Sequence, residues 1–240
     1  KWAYTVKGVA KDKAEIIACS GNFHGRTITI VGMSSEQQYR DNFGPFPEGF
    51  KLVDYGDAAA LENAITKNTA AFLVEPIQGE GGIKMPPQDY LKACKEICEK
   101  HNVLFIADEI QCGLGRTGKL LACEHEDVHP DGLILGKALG GGLLAVSAFL
   151  ADSAVMDVFS AGDHGSTFGG NPLSSVVANE GLKVLLEEKL VENSAKLGQY
   201  FIEGLRKINN PAITEVRGKG LFIGLELDPK LLKARDVCMQ

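Results

Sequence analysis

One lysine lies in an otherwise apolar, glycine-rich stretch of the sequence. Lys137 stands between "LILG" and "ALGGG" in "DGLILGKALGGGLLAVSAFLA" (131–151). A buried ammonium group is costly unless it loses its charge or finds a partner, and most lysines are solvated. Lys137 therefore either reaches the surface as an ordinary lysine or acts chemically as a neutral amine.

Two adjacent carboxylates follow the apolar run "VLFIA" upstream of this lysine. Asp108 is expected at the carboxyl end of a buried strand, where α/β folds bind ligands, and strand alternation turns Glu109 to the opposite face. Gln111 is near enough to join the same site. An acidic partner for a pyridinium nitrogen, together with a Schiff-base lysine, is the pattern of pyridoxal 5'-phosphate (PLP) enzymes. Asp108 and Lys137 are thus a candidate pair, although Asp108 alone is also explained by a structural cap or ion pair.

The segment "HGSTFGGNP" (164–172) offers hydroxyl groups and glycine amides ahead of a predicted helix. Ser166 and Thr167 with these amides suit a phosphate group. A plain glycine turn capped by Asn171 is the alternative.

Two further motifs have competing interpretations. "GLGRTGK" (113–119) fits both nucleotide-binding glycine patterns, but Leu120 replaces the Mg²⁺-binding hydroxyl, and "DEIQC" separates the glycines from the strand. "CEHEDVH" (123–129) could offer zinc ligands, yet no second cluster lies near it in the sequence, so we predict a polar loop and no metal site.

Five short apolar runs alternate with helical patterns along the chain. This alternation predicts an α/β fold with a mainly parallel sheet. The predicted strands are "AEIIACS", "FKLVDY", "AAFLVEP", "VLFIADE" and "GLILG". The predicted helices cover 57–65, 88–101, 171–188 and 191–208, and "ITEVRGKGLFIGLEL" is expected to form two strands with a glycine turn. We expect a large domain over 1–190 and the beginning of a small C-terminal α+β domain over 191–240.

Composition limits the partners and the compartment. The 240 residues carry a net charge of −6, which argues against a nucleic-acid or anionic-membrane footprint. The longest apolar stretch, 139–151, is too short to span a bilayer. The six cysteines lack zinc-ribbon or thioredoxin spacing, which favours free thiols in a reducing compartment: the cytoplasm, or the mitochondrial matrix after removal of a transit peptide. Because no initiator Met is present and both ends fall within helical patterns, we expect an internal piece of a longer chain.

Six motifs occur together in one order. They are "GNFHGRT", "VEPIQGEGG", "LFIADEIQCGLGRTGK", "ILGKALGGG", "HGSTFGGNPL" and "EVRGKGL". Jointly they resemble the class III (omega) aminotransferases over nearly the whole chain. The resemblance implies PLP fold type I, with helices on both faces of the large-domain sheet, and PLP as the cofactor.

The resemblance also implies roles for residues around the cofactor ring. Lys137 in "GKAL" would bind PLP covalently, and Asp108 in "DEIQ" would pair with the pyridinium nitrogen. Gln111 would approach the phenolic oxygen, and Phe23 in "NFHGRT" would stack on the ring.

Further roles concern the phosphate and the substrate. Thr167, with Ser166, would bind the phosphate of the partner subunit's cofactor, which implies a homodimer. Arg26 would hold a substrate carboxylate. Glu80 in "QGEGG" would be a gate that pairs with an arginine nearer the C-terminus, and Glu75 in "VEPIQ" would lie near the same site.

Within the class, "GKALGGG" and "FGPFPEGF" are most similar to ornithine aminotransferases. This implies transfer of the δ-amino group of L-ornithine to 2-oxoglutarate, which gives glutamate 5-semialdehyde and glutamate. "GEGG" and "DEIQCGLGRTGK" are similar also to acetylornithine aminotransferases, so that enzyme or another omega-aminotransferase is the alternative. Leu144 and Ala145 depart from the aromatic residue and proline usual in the ornithine enzymes. A nucleotide-binding α/β domain and an inactive structural fragment are remoter alternatives.

Overall fold

A six-stranded sheet forms the centre of the molecule, as seen in a computed structural model that describes residues 1–231 and residue 237. In chain order the strands are β1 (Glu15–Cys19), β2 (Phe50–Val53), β3 (Thr69–Val74), β4 (Leu104–Asp108), β5 (Gly132–Leu135) and β6 (Ala148–Ala151). Their spatial order is β2-β1-β3-β4-β5-β6. The first five run parallel and β6 runs antiparallel to β5. The predicted mainly parallel sheet is confirmed.

Strand β6 was not among the predicted strands. It lies inside the long apolar stretch 139–151, whose glycines and continuous apolar character hide the alternation of a half-exposed strand. Two of its residues, Phe149 and Leu150, are 44% and 47% exposed. The strand nevertheless pairs with all of β5, from Gly132 opposite Ala151 to Leu135 opposite Ala148.

Helices and short turns connect the strands. The helices are α1 (Trp2–Thr5), α2 (Ile28–Gly32), α3 (Gln37–Arg40), α4 (Ala58–Ala64), α5 (Tyr90–Lys100), α6 (Ser153–Met156), α7 (Pro172–Glu187) and α8 (Leu190–Arg206). Two 3-10 turns cover Ala122–Glu126 and Lys137–Gly140. Within the described ranges, none of the helices combines the length and the apolarity that crossing a bilayer requires.

The main core lies between the sheet and the pair α4 and α5. Asp57 begins α4 by accepting a hydrogen bond from the Ala60 amide at 2.9 Å, as expected of an N-cap. Cys94 and Cys98 lie in α5 with no solvent exposure, in the same cluster as strand residues such as Phe72. This confirms that they are core thiols. A smaller cluster covers the opposite face of the sheet and includes residues of the α2 segment.

The C-terminal part of the described chain contains a hairpin of β7 (Ile213–Lys219) and β8 (Phe222–Leu227). Gly220 forms the turn with φ of +53°, a conformation that glycine adopts without strain. Helix α8 crosses this turn so closely that a Cβ built on Gly198 would lie 2.0 Å from the Gly220 carbonyl oxygen. The predicted pair of strands is thus confirmed, while the boundary between 1–190 and 191–240 stays a prediction.

Candidate active site

The candidate amine and carboxylate lie at the ends of adjacent parallel strands. Asp108 is the last residue of β4 and pairs in register with Ile134 of β5, after which Lys137 begins a 3-10 turn. Asp108 is buried, with 4% exposure. Lys137 is exposed and has φ of +43°. The turn leaves the sheet at this residue and places Leu139 in the core instead, so the amine of Lys137 is accessible to a ligand rather than buried.

Helix α7 supports the turn that carries Lys137. Leu139 packs with Ala178 and Leu182 of the helix. Gly181 comes so close that a Cβ built on it would lie 3.7 Å from the Leu139 carbonyl oxygen. The amine thus stands on a turn that packs against α7.

A histidine that the sequence analysis did not select completes the surroundings of Asp108. His24 Nδ1–H donates to Asp108 Oδ2 at 2.7 Å, and the Ile110 amide donates to Oδ1 at 3.1 Å. The His24 side chain is 2% exposed, and its Nε2 has no hydrogen-bond partner among the described residues. The signal in the sequence was its position between Phe23 and Arg26 in "NFHGRT".

Glu75 is a buried carboxylate that joins two loops. It follows the last residue of β3 and accepts hydrogen bonds from the amides of Phe23 at 2.8 Å and Gly79 at 3.0 Å. Burial raises the pKa of Glu75. Its contacts show how it places the "NFHGRT" and "QGEGG" segments next to each other.

The "QGEGG" segment forms a closed loop beside Gln111. A backbone bridge between Gln78 and Lys84 closes the loop. Glu80 is exposed in it and accepts a hydrogen bond from Gln111 Nε2 at 3.1 Å. The structure thus brings together Glu80 and Gln111, for which the sequence implied different ligands.

Phe23 and Arg26 lie together with a second residue that the sequence analysis missed. The Arg26 guanidinium carbon is 5.3 Å from the Phe23 ring centroid and 3.9 Å from that of Tyr39. These are cation–π distances. A cavity of about 220 Å³ adjoins Arg26 and Tyr39. The sequence held no sign of Tyr39, because it lies outside the "NFHGRT" motif in the short helix α3.

Ser166 and Thr167 stand apart from this network. Both are exposed in the turn before α7, which Asn171 caps by accepting from the Ser174 amide at 2.9 Å. Ser166 Oγ accepts from the Gly169 amide at 3.1 Å and lines a cavity of about 370 Å³. Thr167 is not among the residues that line this cavity.

Glu109 is structural and lies on the other side of the strand. It is 1% exposed and accepts from the amides of Ala122 and Cys123 at 2.8 Å each. Burial raises the pKa of this carboxyl group. The Glu109 side chain thus points to the face of the sheet opposite Asp108, as the strand alternation in the sequence predicted.

The "GLGRTGK" segment packs closely against helix α8. The Ser194 hydroxyl of α8 donates to the Arg116 carbonyl at 3.0 Å, and a Cβ on Gly118 would lie 2.9 Å from Ala195. In nucleotide-binding loops a helix begins directly after the glycines, whereas here a turn follows them. These contacts account for the motif without a nucleotide.

The "CEHEDVH" residues also have separate structural contacts. Cys123 is buried beside Glu109, and His125 Nε2 lies 3.1 Å from Thr117 Oγ1. Over residues 1–231 and 237, no group of three His, Cys, Asp or Glu side chains could hold a metal ion.

Comparisons with known proteins identify relatives of the chain in sequence and in fold. The chain is 58% identical over 240 residues to an ornithine aminotransferase of Macrococcus caseolyticus, covering all of this chain and 60% of that protein. An ornithine aminotransferase structure from Toxoplasma gondii with partial occupancy of PLP at its active site superposes with a TM-score of 0.97. It is 50% identical, and the match covers 99% of this chain and 57% of that one. An acetylornithine aminotransferase from Elizabethkingia anophelis is 48% identical at a TM-score of 0.82, over 95% of this chain and 54% of that one.

The chain therefore spans only about 60% of the length of the curated relative. The sequence profile of the family "Aminotransferase class-III" matches residues 1–240, the full length of the chain. The buried Asp108 and the exposed Lys137 occupy the strand ends at which the motifs of that family predicted an acid and an amine. The chain belongs to the class III aminotransferases.

Proposed function

We propose that this chain carries the catalytic lysine and the cofactor-binding acid of a PLP-dependent enzyme that transfers the δ-amino group of L-ornithine to 2-oxoglutarate. The products are glutamate 5-semialdehyde and glutamate. The observation that carries the proposal is the buried Asp108 at the end of β4, one strand from the exposed amine of Lys137. The ornithine substrate is inferred from the relatives that share more than half of the sequence.

The residues of this site fit PLP. A carboxylate as buried as Asp108 requires donors on its oxygens, and His24 and the Ile110 amide already supply two. An acidic residue that holds the pyridinium nitrogen and a lysine that binds the aldehyde are what the cofactor needs from a protein. When bound, PLP supplies the electron sink that stabilises negative charge on the substrate carbon.

The remaining chemistry falls to side chains of this chain. Lys137 is proposed to hold the cofactor and then, as a free amine, to move the proton at the reacting carbon. Asp108 is proposed to pair with the ring nitrogen, and the hydrogen bond from His24 fixes the orientation of its carboxylate. Phe23 is proposed to stack on the ring and Gln111 to approach the phenolic oxygen.

Arg26 and Glu80 are proposed to sort the two substrates. Ornithine must enter with its δ-amine first, so that its α-carboxylate stays away from the cofactor, and the exposed guanidinium of Arg26 can bind it there. Glutamate must present its α-carboxylate close to the ring. Glu80 would then move away from an arginine that it otherwise neutralises, with Glu75 fixing the adjacent loop. Such pairing discriminates between substrates, because a carboxylate that enters the site without a cationic partner loses hydration without compensation.

Substrate choice is tested by the specificity constants of the full-length protein for ornithine and N-acetylornithine. Both react at the δ-amine and differ at the α-nitrogen, which is charged in ornithine and a neutral amide in the competitor. A higher constant for ornithine, with glutamate 5-semialdehyde as the product, supports the proposal. A clear preference for the acetylated substrate would assign the protein to the acetylornithine enzymes.

The same proposal includes a homodimer. Ser166 and Thr167 are separated from the network around Asp108 and lie in an exposed, glycine-rich turn. We propose that Thr167, with Ser166, binds the phosphate of the cofactor held by the partner subunit. Amino acids and 2-oxo acids remain the small-molecule partners, and we propose the cytoplasm or, after loss of a transit peptide, the mitochondrial matrix as the compartment.

A further inference from the structure

Arg217, in strand β7 of the hairpin, holds the loop that carries Glu80. Its Nε donates to the carbonyl oxygens of Gly82 at 3.0 Å and Ile83 at 3.1 Å. Its Nη2 donates to the Gly82 carbonyl at 2.7 Å. A side chain from the hairpin therefore binds the backbone of the candidate active-site loop.

The guanidinium is itself fixed by two carboxylates of the hairpin. Nη1 donates to Glu215 at 2.8 Å and also to Glu226. The Arg217 side chain is only 17% exposed. Because charge-assisted hydrogen bonds are the strong ones and the guanidinium fork is planar, these carboxylates orient the N–H groups that face the loop.

The conformation of the loop needs such support. Gly82 has φ of +98° and Ile83 has φ of +53°. Positive φ is a genuine outlier for a β-branched residue and persists only where surrounding contacts hold it. The amides of both residues donate to the Gly79 carbonyl, while their carbonyl groups are the ones that Arg217 binds.

The near end of the loop is packed against Gln111. A Cβ built on Gly79 would lie 2.0 Å from Gln111 Oε1, so the loop has no room to move closer. Glu80 accepts its hydrogen bond from the amide of the same glutamine. Movement of the loop therefore changes the position of Glu80 relative to Gln111, three residues after Asp108.

We propose that Arg217 is a positioning residue that holds Glu80 in place for substrate binding, and so couples the hairpin to the active site. The inference rests on the proposed function, because Glu80 affects turnover only if it handles substrate charge. The proposal also gives a function to the "EVRGKGL" motif, to which none of the cofactor-binding and substrate-binding roles was assigned.

Hydrogen exchange tests the clamp directly, without reference to activity. In the full-length protein, Arg217→Lys keeps the charge but loses the planar fork. We expect the amides of 79–84 to exchange at least about tenfold faster, because loops with fewer bonds open more often. Arg206→Ala is the control: among the described residues this exposed arginine donates a side-chain hydrogen bond to the Val216 carbonyl alone, at 3.5 Å, and its loss should leave the exchange of the loop unchanged.

Steady-state kinetics then test whether Arg217 affects substrate binding through Glu80. The apparent affinity for substrate is reduced in proportion to the fraction of molecules whose loop is ordered. If only about a tenth of the molecules have the ordered loop, KM rises about tenfold. We expect Arg217→Lys to raise KM for ornithine in this way and to change kcat less. In a Glu80→Gln background the same substitution should have little further effect on KM, as for two residues that act as one unit.

A second variant reaches the loop from β8 and keeps the Arg217 side chain itself, although its new methyl group would also lie 3.4 Å from Arg217 Cγ. A Cβ on Gly224 would lie 3.1 Å from Ile83 Cβ and 3.2 Å from the Gly82 carbonyl oxygen, so Gly224→Ala should displace the loop and raise exchange and KM in the same direction. Unchanged exchange in both variants, or a full effect of Arg217→Lys on KM in the Glu80→Gln background, would overturn the proposal. If the wild-type protein does not use ornithine, the proposed function fails, while the exchange comparison still decides whether Arg217 holds the loop.

Discussion

Lys137 is the residue on which the proposed turnover would depend most directly. It is exposed at a strand end, on a turn packed by α7. We expect Lys137→Ala in the full-length protein to lose turnover by about 1,000-fold or more, since general acid–base catalysis alone contributes about 10²–10⁴-fold. Borohydride treatment followed by mass spectrometry should attach cofactor to the wild type at Lys137 and none to the variant. Substantial transamination by the variant would refute the assignment.

Asp108 is expected to affect chemistry more than cofactor binding. Asp108→Asn keeps the shape of the side chain but loses the charge that retains a proton on the ring nitrogen. The variant should still bind PLP, as checked by its absorption spectrum. Its kcat should fall by about 100-fold to 1,000-fold, the range for removing one preorganised electrostatic partner. Near-normal turnover would show that Asp108 is a structural cap of its loop.

His125 gives stability a pH dependence that can be measured. Burial lowers the pKa of His125 to about 4 from its usual value of 6.5, and the ring contacts Thr117. Because the unfolded chain takes up the proton first, stability should fall as pH drops from 6.5 towards 4 and then level off. His125→Gln should flatten this fall in urea unfolding between pH 7 and pH 5. An equally steep decline in the variant would remove His125 as its cause.

At the scale of elements, the crossing of α8 over the hairpin turn is a close backbone contact that only glycine permits. Gly198→Ala would place a methyl group 2.0 Å from the Gly220 carbonyl, so we expect a loss of stability. Overpacking of this kind costs about 1–3 kcal/mol. Gly204→Ala lies on the same helix with no atom within 4 Å of the new Cβ, and should gain about 0.5–1 kcal/mol from helix propensity. Urea unfolding of both variants checks the contrast, which fails if Gly198→Ala is as stable as the wild type.

The five parallel strands, the hairpin and the four longest helices were predictable, because their signals are local. The helices α2, α3 and α6, of four or five residues each, were not predicted, since so short a segment shows no helical periodicity. Continuous apolar runs predicted the buried strands, and Asn171 with Pro172 marked the beginning of α7. Strand β6 was missed because its pairing with β5 and its partial exposure do not show in a continuous apolar run. A strand that forms because it pairs with a neighbouring strand has little strand pattern in its own sequence.

The site was predictable in part, for the same reason. Asp108 and Lys137 could be placed because each follows a recognisable strand. His24 and Tyr39 could not, since their contacts arise only when loops distant in sequence fold over the sheet. The hydrogen bonds from Arg217 to the Gly82 carbonyl join residues 135 positions apart in the sequence, and no local sequence pattern predicts a contact over that separation.

At the scale of the whole molecule, the proposed dimer can be tested by mixing two inactive variants. Lys137 is proposed to serve its own subunit, and Thr167 the cofactor of the partner. In a hybrid of Lys137→Ala and Thr167→Ala subunits, one site carries both defects and the other carries neither. Co-expressed subunits should therefore regain activity that neither homodimer shows, up to about half of the wild type per hybrid dimer. Hybrids without added activity would show that Thr167 serves its own subunit.

The chain order of the elements has a consequence for synthesis on the ribosome. Both strands that carry Asp108 and Lys137 leave the ribosome before the hairpin does, since β4 and β5 end at residues 108 and 135 and β7 begins at residue 213. Translation proceeds at about 5–20 residues per second, so several seconds separate these events. The acid and the amine can be aligned during that interval, but the loop with Glu80 stays unclamped until Arg217 arrives. A nascent chain thus completes the proposed acid and amine before it forms the contact that is proposed to order the loop with Glu80.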